Sequence, residues 1–294
     1  MKPLFEGCGT ALVTPFRKGE VDYPALDRLV EEQLDQGVDA LIAVGTTGEP
    51  ATMTWEEHLS VIRRVVDIVR HRVPVIAGTG SNCTREAVDA ARAAKEFGAD
   101  AQLVVTPYYN KTSQQGLVAH FHAVADAATL PVIVYNVPSR TGLNIGPESL
   151  KEICHHPSVI GVKEASSDVA QSLEKLRLVG DNAAFYSGND DLVVPLMACG
   201  FRGVISVISN VLPAETARMT HLALRGELQN AAEIQLRLLP MINALFCETS
   251  PIPVKAAMAA LGRLENELRL PLVPMQEKNR QKMLEIMRKL GLEV

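Results

Sequence analysis

The chain has little of what nucleic-acid binders, disulfide scaffolds and membrane proteins are built from. It has no lysine/arginine run: 29 basic residues face 34 acidic ones, for a formal net charge of −5. Aromatics make up only 4% and do not interleave with basic residues, which argues against a nucleic-acid surface. The five cysteines, Cys8, Cys83, Cys154, Cys199 and Cys247, are odd in number and lie far apart, with no Cys-x-x-Cys pair. A disulfide framework or structural zinc is therefore not expected, and reduced thiols are. His120-x-His122 and His155-His156 lack zinc-site spacings, so no metal is expected either. No stretch of about 18 apolar residues is available to span a bilayer. The opening Met1-Lys2-Pro3-Leu4-Phe5-Glu6-Gly7 lacks the apolar run of a signal peptide. The expectation is a cytoplasmic protein with no membrane or nucleic-acid partner.

What is present is 47% apolar and 21% charged residues over 294 positions, enough for one large α/β barrel or two ordinary domains. Short β-rich runs recur, each followed by a helical pattern. The runs are Thr10–Val13, Ala40–Val44, Val73–Ala77, Ala101–Val105, Pro131–Tyr135, Val159–Val162, Ala183–Ser187 and Gly203–Val207. A helix reads from Pro24 to Gln36 and stops at Gly37; Thr54-x-x-Glu57 is a capping box; Thr84 is placed to cap the third helix. Strands alternating with helices imply right-handed βαβ units, and eight of them suggest a closed (β/α)₈ TIM barrel. An open doubly wound sheet is the competitor, but its dinucleotide fingerprint is missing: Gly78-x-Gly80 continues as Ser81-Asn82-Cys83. From Pro213 the strand pattern ends. Helical segments follow, broken near Gly226, Pro251-Ile252-Pro253, Gly262 and Pro271. The expected division is a barrel over 1–226 carrying the active site and a helical C-terminal extension over 227–294.

The polar residues of such a barrel matter most at the C-terminal ends of its strands. There the sequence delivers Thr46 and Thr47, Tyr108 and Tyr109, Tyr135 and Arg140, Lys163, and Gly188. A lysine ending an apolar strand is poorly solvated at its root, which suits a Schiff-base nucleophile. Such an amine needs its pKa lowered from about 10.4 toward neutrality, and burial does this. Tyrosine and threonine hydroxyls can relay the protons of imine formation. The Gly45-Thr46-Thr47-Gly48 turn offers amides to a carboxylate, and Arg140 a bidentate partner for a second one. Each residue also has a plainer role. Lys163 can snorkel, the threonines can cap a turn, the tyrosines can fill an interface, and Arg140 can be a solvated loop charge. Glu49 and Glu164 read as loop supports rather than as an acid/base pair.

Several longer strings carry a family resemblance: Gly45-Thr46-Thr47-Gly48-Glu49, Ala77-Gly78-Thr79-Gly80, Thr106-Pro107-Tyr108-Tyr109-Asn110, Tyr135-Asn136-Val137-Pro138-Ser139-Arg140-Thr141-Gly142, Gly161-Val162-Lys163-Glu164 and Gly203-Val204-Ile205-Ser206-Val207. Almost end to end, the sequence resembles the dihydrodipicolinate synthase family of pyruvate-dependent class I aldolases, relatives of N-acetylneuraminate lyase. The resemblance implies that Lys163 condenses with pyruvate, with Tyr135, Thr46 and Tyr109 as its hydroxyl relay. It implies that Thr46 and Thr47 hold the pyruvate carboxylate, that Arg140 receives aspartate 4-semialdehyde, and that Gly188 and Ile205 line the site. The implied product is 4-hydroxy-tetrahydrodipicolinate, on the route to diaminopimelate and lysine, made without metal or organic cofactor. Tyr109 would be lent across a dimer interface within a homotetramer, a dimer of dimers. Ala51, His58, Asn82, Glu86 and Tyr108 match the family's site for lysine as feedback inhibitor, while Pro50 and Trp55 depart from one common version of it. The alternatives are a sialic-acid or keto-sugar-acid aldolase on the same scaffold, or a non-catalytic binding protein. Ser139-Arg140-Thr141 favours aspartate semialdehyde, and the joint presence of Lys163, Tyr135, Thr46 and Tyr109 favours an enzyme.

Overall fold

All eight apolar runs become parallel strands of one closed barrel, described over residues 2–294 by a computed structural model. In chain order the first half comprises β1 (Gly7–Ala11), the hairpin β2 (Phe16–Arg17) and β3 (Glu20–Val21), α1 (Tyr23–Asp35), β4 (Ala40–Ala43), α2 (Trp55–Val69), β5 (Val75–Gly78), α3 (Thr84–Glu96), β6 (Ala101–Val105) and α4 (Gln114–Ala128). Then come β7 (Val132–Asn136), the single turn α5 (Pro138–Thr141), α6 (Pro147–Ile153), β8 (Val159–Glu164), α7 (Val169–Val179), β9 (Ala184–Ser187), α8 (Val193–Ala198), β10 (Gly203–Ser206) and α9 (Pro213–Leu224). Three helices close the chain: α10 (Leu228–Leu245), α11 (Ile252–Ala260) and α12 (Glu277–Lys289). β1 pairs with both β4 and β10, so the sheet has no free edge and the fold is a (β/α)₈ TIM barrel.

Side chains alternate across each strand and build two apolar layers. Leu41, Val104, Val134, Val162 and Val204 point outward and pack with helix residues such as Val65 and Phe121. Ile42, Ile76, Leu103, Ile133, Tyr186 and Ile205 fill the barrel interior. Phe5, just before β1, stacks on Tyr186 at 4.3 Å, and the Tyr186 hydroxyl donates to the Phe5 carbonyl at 2.8 Å. The layer is thus dry beneath the rim where the strands end. Past α9 the helices turn back: α10 packs on α8 and α9, and α12 packs on α10 and α11.

Local expectations hold where backbone chemistry fixes them. Thr54 and Glu57 exchange the two bonds of a capping box, and the first helix runs Tyr23–Asp35 with Gly37 at φ +77° just beyond. Others shift. β1 starts at Gly7 rather than Thr10, because Gly7 to Gly9 pair with β10 in spite of their small side chains. The β2–β3 hairpin was not expected, since two-residue strands carry no readable period. Thr84 is the first helical residue rather than the cap; its hydroxyl bonds His120 Nδ1 at 2.9 Å.

Gly78 ends β5 where the backbone passes hard against the turn after β4. A Cβ there would lie 2.3 Å from the Val44 carbonyl oxygen and 2.9 Å from the Gly45 amide nitrogen. Gly78→Ala should cost about 1–3 kcal/mol or more, since backbone must move to admit it. A urea unfolding midpoint equal to that of the parent would refute this close approach.

Candidate active site

Strand pairing sets the centre of the site. β7 and β8 run side by side with Tyr135 opposite Lys163, one step from the C-terminal end of each strand. Both side chains are buried, Lys163 at 5% exposure and Tyr135 at 6%. Lys163 Nζ sits over the Tyr135 ring, 4.4 Å from its centroid. Burial lowers the Lys163 pKa to about 7; the Asp190 carboxylate opposes that shift and the Arg140 guanidinium assists it. Burial raises the Tyr135 pKa, offset by Arg140 and by a hydrogen bond with Thr46. The amine is therefore available as a nucleophile near neutral pH, and the phenol stays protonated as a donor.

Thr46 and Thr47 arrive on a single 3₁₀ turn, Thr46–Gly48, three residues past β4. Two of the turn's amides are already occupied: Gly48 N–H donates to Gly45 O at 2.8 Å and Glu49 N–H to Thr46 O at 3.2 Å. The carboxylate cradle is therefore narrower than a whole nest of amides; the leading amides of the turn, those of Thr46 and Thr47, have no acceptor within it. The backbone flanking this turn is strained. Val44 is left-handed at φ +49° and Glu49 at φ +58°, and such positions cost about 1–3 kcal/mol each. Strain that the fold maintains beside a cluster of polar groups is a mark of function.

A cavity of about 630 Å³ opens above these residues, and Thr46, Tyr135 and Arg140 stand on its wall. Lys163 is not on that wall but behind Tyr135. Gly188, after β9, comes so close that a Cβ there would lie 3.1 Å from Lys163 Cε. Ile205, on β10, is fully buried in the interior layer beneath. Arg140 sits on α5, a turn absent from the sequence expectation, and its Nη2 donates to Ser250 O at 3.1 Å. Tyr109 does not reach this chamber: it is 92% exposed, with φ +66°.

The same cavity extends to Ala51, His58, Glu86 and Tyr108, with Pro50 and Trp55 beside them. His58 Nε2 bonds Gly78 O at 2.8 Å, and burial lowers its pKa, so the ring is neutral. Asn82 is off this wall; its carbonyl accepts from Asn110 Nδ2 at 2.9 Å.

Glu49 and Glu164 are structural. Glu164 accepts from Asn136 Nδ2, the Ser166 amide and Lys175 Nζ at 2.8–3.1 Å; Glu49 accepts from Lys255 Nζ at 2.6 Å. Sequence reasoning missed Lys175, Lys255 and Asp190. Asp190 is fully buried, and its Oδ2 accepts from the Val207 and Ile208 amides at 3.0 and 2.9 Å. Lys255 left a signal: it is the one charge in the apolar helix Ile252–Ala260. Among the described residues no group of three or more His, Cys, Asp or Glu is arranged to hold a metal, and no helix is long and apolar enough to cross a membrane.

The Dihydrodipicolinate synthetase family model matches residues 4–290. A curated 4-hydroxy-tetrahydrodipicolinate synthase of Alkaliphilus oremlandii is 52% identical over 286 residues, covering 97% of this chain and 99% of that one. Among solved structures, the dihydrodipicolinate synthase of Acinetobacter baumannii complexed with pyruvate superposes with a TM-score of 0.96 at 40% identity, covering 98% of this chain and 99% of that one. The enzyme of Cyanidioschyzon merolae with lysine bound gives 0.96 at 40% identity, covering 99% and 100%. The chain belongs to the dihydrodipicolinate synthetase family.

Burial of Lys163 has a stability consequence with a definite sign. Its folded pKa of about 7 lies below the ordinary lysine value, so between the two the unfolded chain binds more protons and stability rises with pH. Lys163→Met should therefore be more stable than the parent by a few kcal/mol at pH 7 and below. The gap should shrink steadily toward pH 10. Urea titrations across that range check it; a gap independent of pH would mean that the amine is solvated.

Proposed function

We propose, from membership in this family, that the chain is a Schiff-base-forming lyase. It condenses pyruvate with aspartate 4-semialdehyde to 4-hydroxy-tetrahydrodipicolinate, the first committed step toward diaminopimelate and lysine. The observation that carries this proposal is the buried Lys163 amine, with a pKa of about 7, packed on the ring of a tyrosine that bonds Thr46.

Neutral Lys163 attacks the pyruvate keto carbon. Tyr135, protonated and linked to Thr46, supplies the proton that carries off the carbinolamine hydroxyl as water. The Tyr135 ring face beneath Nζ favours the cation as the iminium forms. The Tyr135 phenolate left by that step takes up a methyl proton, giving an enamine with the iminium nitrogen as electron sink, so the covalent imine does the work of a cofactor. Thr46 and Thr47 hold the keto-acid carboxylate. The enamine carbon then attacks the semialdehyde, whose carboxylate Arg140 receives. The semialdehyde's own amine displaces Lys163 and closes the ring. Gly188 leaves room beside the lysine side chain, and Ile205 is a dry wall.

Tyr109 is the third hydroxyl of the relay. Nearly fully exposed, it serves a neighbouring subunit, so the active unit is a homodimer and the assembly a dimer of dimers. Lysine is the feedback inhibitor, bound by Ala51, His58, Asn82, Glu86 and Tyr108. Supporting this, four of these five line the outer part of the cavity, and a relative has been solved with lysine bound.

Borohydride trapping with pyruvate should place a reduced adduct on Lys163 and nowhere else. Tyr135→Phe should lower kcat by about 10²–10⁴. Arg140→Ala should raise KM for the semialdehyde about 10-fold or more, with pyruvate trapping intact. An aldehyde panel with pyruvate fixed separates this assignment from the sugar-acid aldolases, since turnover of a sugar aldehyde in preference to the semialdehyde would overturn it. Adding lysine to the coupled assay should inhibit, and Tyr108→Ala should relieve that inhibition.

A further inference from the structure

The helices after the barrel touch the site at a second point besides the Arg140–Ser250 bond. Lys255, on α11, reaches Glu49 across 206 positions of sequence, with Nζ 2.6 Å from Oε1. The two side chains are 0% and 1% exposed. Lys255 Nζ also lies 4.2 Å from the centroid of the Phe16 ring, and the Arg269 guanidinium lies 4.3 Å from the same centroid. Arg269 N–H points at Glu49 Oε2 at 3.4 Å, while its side chain donates to Thr52 O at 3.0 Å and pairs with Glu57 at 2.6 Å. Glu49 is the residue that closes the Thr46–Gly48 turn, through its amide on Thr46 O, and its backbone is left-handed.

We propose that Lys255 is a positioning residue: by pinning Glu49 it holds the Thr46-Thr47 turn in the register that receives the keto-acid carboxylate, so that the C-terminal helices complete the pyruvate pocket. The physical ground is the geometry of the turn. Its two flanking residues, Val44 and Glu49, both sit in backbone conformations that relax unless something holds them. Val44 is held by the close approach of Gly78. Glu49 is held by the ion pair, the only buried cation in its reach being Lys255 among the described residues. A shift of the turn moves both hydroxyls of the carboxylate site together while leaving Lys163 and Tyr135, on β8 and β7, in place.

A plainer role is that the pair only ties the extension to the barrel. The molecule contains a matched pair for comparison: Lys175 and Glu164, 2.8 Å apart and equally buried, which does not touch the turn. The inference rests on pyruvate being the keto acid bound, and the test separates the two claims. Pyruvate would be titrated against borohydride trapping of Lys163 and against turnover, in the parent, in Lys255→Met, in the charge-neutral double variant Glu49→Gln/Lys255→Met, and in Lys175→Met.

Removing one partner strands a buried charge, so both single variants should lose thermal stability; the double variant removes both charges and should keep its fold. The expected result is a rise of about tenfold or more in the pyruvate concentration that half-saturates trapping of Lys163 in both Lys255 variants, with a fall in kcat beside it because the displaced Thr46 also serves the proton relay. Lys175→Met should lose stability without that rise. Unchanged half-saturation in the double variant overturns the positioning role, as does an equal rise in Lys175→Met. Failure of the parent to trap pyruvate at all overturns the assignment of the substrate instead.

Discussion

Removing one amine from water is the event that the rest of this structure serves. Lys163 loses hydration at the end of β8, and that loss outweighs the pull of the Asp190 carboxylate, leaving a pKa of about 7. Lost hydration, the Asp190 carboxylate and the Arg140 guanidinium compete there, and their order decides the chemistry. Were Asp190 as close as an ion-pair partner, the amine would stay charged; no ion pair within 4 Å joins them among the described residues. One carboxylate oxygen, Oδ2, is instead held by the Val207 and Ile208 amides, while Oδ1 is buried without a hydrogen-bond partner among the described residues. Arg140, on the same rim, pushes the amine toward neutrality while remaining available to an anion. The interior layer of Ile133, Tyr186 and Ile205 supplies the dryness, which is why the nucleophile can stand on a strand of a packed barrel and not on a loop.

On the proposed function, a chamber dry enough for its amine must also hold anionic substrates, and these demands conflict. The structure separates them radially. Charges needed for support are placed behind the rim and neutralised in pairs, Glu164 by Lys175 and Glu49 by Lys255, all four side chains at 0–1% exposure. Each glutamate immediately follows a group of the site, Lys163 or the Thr46–Gly48 turn. At Glu164, strand alternation turns the residue after Lys163 to the outer face, where a helix meets its charge; Glu49 is instead turned by its left-handed backbone at the end of a 3₁₀ turn. The two lysines come from different helices, α7 and α11, so one pair ties β8 to the barrel's own α-layer and the other ties the Thr46–Gly48 turn to the trailing helices.

How much of this was legible in the sequence follows the same division. Strand count, closure and the rim residues were readable, since apolar runs of four to six residues ending in polar strings carry both the period and the direction of a βα unit. Thr46, Tyr135 and Arg140 do meet on the wall of one chamber, with Lys163 packed against the Tyr135 ring, as their strand-end positions required. The supporting ion pairs were not readable, because Lys255 lies 206 positions from Glu49 and nothing local ties them. Nor was α5: four residues, Pro138–Thr141, are too few for a helical period, yet that turn sets where Arg140 points. Nor was it readable that the Gly48 amide is spent on Gly45 O, since which amides a turn spends on itself depends on its dihedral angles and not on its composition.

Tyr109 shows where the logic of one chain stops. A tyrosine 92% exposed, on a left-handed backbone at φ +66°, has no partner that would hold it in water. Tyr108 beside it is half-turned into the cavity mouth at 40% exposure. An exposed aromatic gains only when something covers it, and in the loop after β6 Tyr109 and Lys111 are both left-handed, at φ +66° and +51°. The proposed relay needs a third hydroxyl, and Tyr109 of the same chain is not on the cavity wall. In the proposed dimer, a second copy presenting the same segment to the chamber would bury the ring and supply the hydroxyl together. The arrangement is self-complementary, as a two-fold interface requires, because each chain would then give the residue it receives.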